Sequence, residues 1–152
     1  MKKVRCHICS VVNKTETCSH CKADLYNADT EKLFRQGGRY SGFSVTADKW
    51  HWSPAQIYLT NKRVIIVPRC VGGGDLASDM AAAFGNLLTA KTAISIPRDK
   101  IKSVEKLTWR VALFIKRRTL AITMNYDYVI KIDPERKYLD EWKSEIEKSI
   151  SF

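Results

Sequence analysis

Four cysteines crowd the start of the chain: Cys6, Cys9, Cys18 and Cys21, spaced as Cys-x2-Cys, eight residues, Cys-x2-Cys. A stretch of about 25 residues cannot bury enough apolar surface to hold itself together. A tetrahedral Zn²⁺ takes four soft ligands, and two knuckles joined by a short hairpin supply them. Two disulfides are the alternative, favoured in secreted mini-domains. The basic opening Met1-Lys2-Lys3-Val4-Arg5 runs straight into Cys6 and His7, so no secretory signal is expected. Cys70 would also be left as an odd thiol. The spacing therefore predicts one Zn²⁺. Because cysteine fills all four positions, none remains for a water, and the predicted ion is structural rather than catalytic. His7 and His20, inside the knuckles, are expected to face solvent.

The segment resembles the bacterial zinc-ribbon modules, through Cys6 and Cys9 followed by Cys18, Cys21 and Leu25. The match covers about residues 4 to 26. It departs at the glycine that commonly follows each knuckle, where Ser10 and Lys22 stand instead, so less relaxed turns are expected. Residues 1–28 are read as the ribbon and 29–152 as a second domain, joined through the polar stretch 27–31.

The second domain reads mostly as strands. Leu33 to Tyr40 is broken by Gly37 and Gly38, which fits a strand with a bulge or bend. Ile57–Thr60 and Arg63–Val67 flank Asn61-Lys62, a two-residue hairpin turn whose asparagine tolerates positive φ. Pro68 ends that strand. In 71–92, Gly72-Gly73-Gly74 leads to Asp75, a good N-cap. Leu76, Met80, Phe84 and Leu87 or Leu88 follow at helical spacing, predicting an inserted helix around 75–90. Ile94–Pro97 is a short strand. From Ile101 the alternation places Leu107, Trp109, Val111, Leu113 and Ile115 on one face, and Lys102, Lys106, Arg110 and Lys116 on the other. Leu120, Ile122 and Met124 alternate next. Asn125-Tyr126-Asp127 turns the chain, and Tyr128, Ile130 and Ile132 are expected to point inward. A C-terminal helix is predicted from Asp133 as N-cap and Pro134 as first residue, with Leu139, Trp142, Ile146 and Ile150 as its apolar stripe.

Four blocks carry a second resemblance: Glu31-Lys32-Leu33; Ile57-Tyr58-Leu59-Thr60-Asn61-Lys62-Arg63-Val64-Ile65; Ile96-Pro97-Arg98-Asp99-Lys100-Ile101-Lys102-Ser103-Val104-Glu105; and Glu141-Trp142 with Ile146. Together they resemble the GRAM branch of the pleckstrin-homology superfold, over about residues 31 to 150. The resemblance implies a mainly β (α+β) fold: a seven-stranded, partly open barrel closed by a C-terminal α-helix. It also implies a binding scaffold, often for phosphoinositides or other anionic lipids and sometimes for proteins. The 71–92 insertion departs from the short form of the family.

Net charge narrows the partners. The 26 Lys and Arg outnumber the 16 Asp and Glu. Residues 98–118 concentrate the excess in Arg98, Lys100, Lys102, Lys106, Arg110, Lys116, Arg117 and Arg118, against Asp99 and Glu105. Such a strand attracts phosphate head groups. It also serves as a solvated face that guards an edge against pairing. Catalytic signatures are absent. Gly72-Gly73-Gly74 lacks the Lys-Ser/Thr and spacing of a phosphate loop. Cys70, beside Arg69, has no credible histidine partner. The expectation is a non-enzymatic, cytoplasmic adaptor, peripheral at the inner membrane surface, that binds anionic phospholipid or a protein. The alternatives are nucleic-acid binding through ribbon and basic strand, or homo-oligomerisation through the 71–92 helix. The tryptophans of Trp50-His51-Trp52 serve either as core or as a membrane anchor.

Overall fold

A computed structural model describes residues 2–44, 53–68 and 93–150. The predicted 71–92 helix, Trp50-His51-Trp52 and Cys70 lie outside the described residues. Strands β1 (Val4–Arg5) and β2 (Val12–Asn13) form a small hairpin. The body holds β3 (Leu33–Gln36), β4 (Gly42–Ser44), β5 (Ser53–Thr60), β6 (Arg63–Pro68), β7 (Ile94–Pro97), β8 (Ile101–Ala112), β9 (Ile115–Met124) and β10 (Val129–Asp133). The helix α1 (Leu139–Glu147) closes the chain order. All body pairings are antiparallel, and the sheet path runs β7-β6-β5-β4-β10-β9-β8.

Among the described residues, eight body strands appear where the resemblance implied seven, because the opening strand breaks at its two glycines. β3 pairs with the end of β5 at Tyr58–Thr60, whereas β4 pairs with its start at Ser53–Pro54 and then with β10. At this corner the Gly37 N–H donates to Ile57 O (2.7 Å) and the Gly38 N–H to Pro134 O (2.7 Å). A Cβ on Gly37 would lie 2.9 Å from Pro134 O, closer than side chains tolerate, so the corner requires glycine.

The Asn61-Lys62 turn joins β5 and β6 as expected, but Asn61 does not adopt positive φ. Instead it clasps the segment before β3. Its N–H donates to Lys32 O (3.0 Å), its Oδ1 accepts from Lys32 N (2.7 Å), and its Nδ2 donates to Thr30 O (3.3 Å).

The long strand departs most from its expected pattern. A bulge between Ile101 and Ser103 inserts one residue and exchanges the faces as far as Arg110, where a second shift follows before Ala112. Val104 opposes Ile122 on the core face, which then continues through Lys106, opposite Leu120, and Thr108, opposite Arg118. Leu107 falls on the outer face, opposite Thr119. Leu113 and Phe114 form the turn between β8 and β9 and stand 80% and 92% exposed, so Leu113 is not on an inward face. Tyr128, just past the next turn, is 48% exposed, whereas Ile130 and Ile132 are fully buried as expected.

The helix starts later than its sequence signals indicated. Asp133 is the last residue of β10, opposite Gly42, and Pro134 O is engaged by Gly38. Sheet pairing thus outcompetes the cap. A 3₁₀ turn at Arg136–Tyr138 intervenes, and α1 begins at Leu139. Its apolar stripe is as expected: Leu139, Trp142 and Ile146 are buried against β8 and β9, sharing one core with Phe43, Ile57, Leu59, Val64, Ile66 and Ile132. Edges β7 and β8 do not pair, so the shell stays open there. The 3₁₀ turn Arg98–Lys100 links them. The Arg98 guanidinium spans the opening, donating to Thr60 O (3.3 Å) and to Glu145 O on α1.

Candidate metal centre and cationic cleft

The two knuckles are built alike. In the first, the Cys6 N–H donates to Val11 O (2.9 Å) and the Ser10 N–H to Cys6 O (3.0 Å). In the second, the Cys18 N–H donates to Ala23 O (2.8 Å) and the Lys22 N–H to Cys18 O (3.0 Å). Ser10 (φ 64°) and Lys22 (φ 60°) occupy the left-handed region at equivalent places, where glycine would sit without strain. The four cysteines are unbridged, and their sulfurs all lie within 4.8 Å of one another. Cys6 Sγ is 3.5 Å from Cys21 Sγ, and Cys9 Sγ is 3.5 Å from Cys18 Sγ. Zn–S bonds of about 2.3 Å in a tetrahedron place sulfurs roughly 3.8 Å apart, so the set fits such an ion.

Donors are aimed at two of the sulfurs. Ile8 N–H points at Cys6 Sγ (3.4 Å) and Asn13 Nδ2 at Cys18 Sγ (3.5 Å). Asn13 is itself fixed, because its Oδ1 accepts from the Ser19 N–H (2.9 Å) and hydroxyl (3.0 Å). Burial pushes the Cys18 thiol up, but backbone N–H groups of Cys21 and His20 and the Cys9 and Cys21 sulfurs outweigh it and bring it down to about 7. Burial pushes Cys9 up to about 12 and raises Cys21 as well. One early thiolate beside two reluctant thiols, Cys9 and Cys21, is a set that ionises fully only around a cation. His7 and His20, expected to face solvent, are half-buried and stand outside the sulfur cluster.

The knuckles are docked on the body. Cys6, Ile8, Cys18, Cys21 and Ala23 share a buried cluster with Tyr58, Ile65, Val67 and Ala93. Tyr58, Ile65 and Val67 project from the side of β5 and β6 opposite the main core. The sequence carried a signal for this. Val64-Ile65-Ile66-Val67 is an unbroken apolar run, as expected of a strand covered on both faces.

The basic residues of 98–118 disperse. Arg98 is buried in the opening between the sheet edges. Lys102 pairs with Asp127 (3.1 Å) and Lys106 with Asp140 of α1 (2.5 Å). Lys100, Lys116 and Arg118 are exposed. The Arg110 side chain lies outside the described residues, although the register sets Arg110 opposite Lys116. Arg117 lines a cleft of about 430 Å³ together with Arg39, Arg136, Lys137, Asp133 and Glu135. At its base the Asp133 carboxylate lies 3.6 Å from both Arg117 Nε and Arg136 Nε. Burial holds the Asp133 carboxyl above the ordinary carboxylate value, against the pull of Arg117 and Arg136. Arg39, Arg136 and Lys137 had no signal in the sequence. Arg136 meets Arg117 across Asp133 at the end of β10, and Arg39 joins them because the Gly37-Gly38 corner is tied to Pro134.

The motif residues behind the second resemblance also converge, inside the fold. Glu31 accepts from Arg63 Nε (2.7 Å), Arg63 Nη2 (3.1 Å) and the Thr60 hydroxyl (2.8 Å). Burial pushes the Glu31 carboxyl up, but the Arg63 and Thr60 bonds outweigh it and hold it below its ordinary value.

The chain is similar to the Vps36 N-terminal PH domain, at 11% identity and a TM-score of 0.54, over 89% of each chain. It is also similar to the C-terminal domain of an unknown protein from Leishmania infantum, at 12% identity and a TM-score of 0.51, over 82% of this chain and 89% of that one. No family model and no curated protein matches. The likeness defines the fold: a PH-like, mostly antiparallel β domain with one C-terminal helix. Among the described residues, no helix is long and apolar enough to cross a membrane.

Proposed function

We propose that this chain is a non-enzymatic adaptor of the GRAM type, stiffened by one structural Zn²⁺, whose PH-like body docks on an anionic lipid surface. The GRAM reading is supported by the Glu31, Thr60, Asn61 and Arg63 cluster, in which residues of the hairpin block and the opening acidic residue serve the fold itself. When bound, the ion would cross-link the knuckles; Cys6, Cys9, Cys18 and Cys21 would hold it, with no position open to a substrate. The observation that carries the lipid reading is the cleft, where Arg39, Arg117, Arg136 and Lys137 converge against two acidic groups. Guanidinium forks match phosphate oxygens and keep their charge at any physiological pH.

The test is vesicle flotation of the full chain. Binding to phosphatidylcholine vesicles carrying 30% phosphatidylserine, lost at high salt and reduced in Arg39→Gln/Arg136→Gln, is expected. Equal binding to neutral vesicles, or none to either, would overturn the reading. Steep, salt-dependent DNA or RNA binding in its place would favour nucleic acid.

A further inference from the structure

We propose that the turn between β8 and β9 is a membrane-entering tip, with Leu113 and Phe114 passing into the acyl region of an anionic bilayer. This inference deepens, and rests on, the reading of the cleft as the anion site. Leu113 and Phe114 are 80% and 92% exposed, at the end of the longest hairpin in the described chain. Among the described residues, the apolar core on β9 ends at Leu120. The six residues from there to Phe114 carry the tip roughly 20 Å along the strand at ~3.3 Å per residue. An apolar pair held that far out contributes nothing to the main core.

Charge identifies the occupant. The stretch from Lys106 to Met124 contains no Asp or Glu, yet includes Arg110, Lys116, Arg117 and Arg118. Lys116 and Arg118 are exposed just behind the tip. Apolar residues at the apex with cations on the shoulders match the layering of an anionic leaflet, acyl chains inside and phosphates outside. Depth agrees as well. Arg117 is three residues from Phe114, about 10 Å along β9, and faces the cleft. Insertion to the ~5–10 Å typical of interfacial elements therefore brings the cleft to the head-group layer. Tip and cleft would engage one surface together.

The experiment uses the full chain with the same two vesicle types. Leu113→Ser/Phe114→Ser should melt like the wild type, since both side chains are in solvent, but bind anionic vesicles at least about tenfold more weakly. Phe114→Trp, read as a difference spectrum against wild type, should shift to the blue on anionic vesicles and be quenched by brominated acyl chains. Wild-type binding by the double serine variant, with no shift in Phe114→Trp, would overturn the tip while leaving the cleft intact. Loss of binding in the serine variant but not in Arg39→Gln/Arg136→Gln would sink the cleft and keep the tip. A dimer that the serine variant dissolves, without vesicle binding, would assign the tip to a second copy and overturn the proposal.

Discussion

The β5–β6 and β8–β9 hairpins are both antiparallel and both turn in two residues, yet they occupy opposite environments. The first is covered on both sides, by the main core through Ile57, Leu59, Val64 and Ile66 and by the cysteine knuckles through Tyr58, Ile65 and Val67. Among the described residues, the second meets the main core at Val104 and Leu120, and its turn, Leu113-Phe114, stands in solvent. Hairpin geometry is thus indifferent to burial, which is decided by what lies on each face. An unbroken apolar run needs two covers, whereas the apolar pair Leu113-Phe114 sits at a turn and stays exposed.

Removing one cover tests this contrast most severely. Cys18→Ser, or chelation of the wild type, should unfold residues 4–26 and expose Tyr58, Ile65 and Val67. Loss of hydrogen-exchange protection in β5 and β6, with β9 and β10 keeping theirs, is the expected pattern. Equal protection with and without metal would break the comparison. Ile65→Ala should cost about 2–5 kcal/mol in denaturant unfolding, because its cavity opens between knuckles and sheet. The matching change on the other hairpin, Leu113→Ala, should stay within about 0.5 kcal/mol.

A smaller effect lies at the end of the buried hairpin. Glu31 is held below its ordinary carboxylate value of 4.5 when folded. Its ion pair therefore contributes fully above that value, and the contribution is lost as pH falls through the lower, folded value. Glu31→Gln should cost about 1–3 kcal/mol at neutral pH and flatten this acid limb in urea titrations. Smallest of all, Ser10→Gly and Lys22→Gly should each stabilise the knuckles by about 0.5–1 kcal/mol by relieving left-handed backbone. A loss of stability on either change would show that the side chain contributes more than the strain costs.

Local chemistry was legible in the sequence, and juxtaposition was not. The sulfur cluster could be read because ligand spacing is a local property. Leu139, Trp142 and Ile146 could be read from their period. The helix start could not, since Asp133 has a competing partner in β4 that is distant in sequence. The face exchange in β8 was hidden because one inserted residue at Lys102 leaves the composition unchanged while reversing the positions from Ser103 to Arg110, where a second shift follows. The cleft was equally hidden, since Arg39 and Arg136 are brought together by a glycine corner whose partner, Pro134, no local pattern reveals. The apolar run in β6 did announce a second cover, without saying that the knuckles provide it.

Arg98 spans the gap where the two outermost strands fail to meet, joined on one side to the β5–β6 turn and on the other to the last turn of the helix. One planar cation thus ties the helix to the end of β5 beside the unpaired edges. A shorter or single-pronged replacement would leave one of those two carbonyls without its donor, while Leu139, Trp142 and Ile146 keep the helix seated on the sheet.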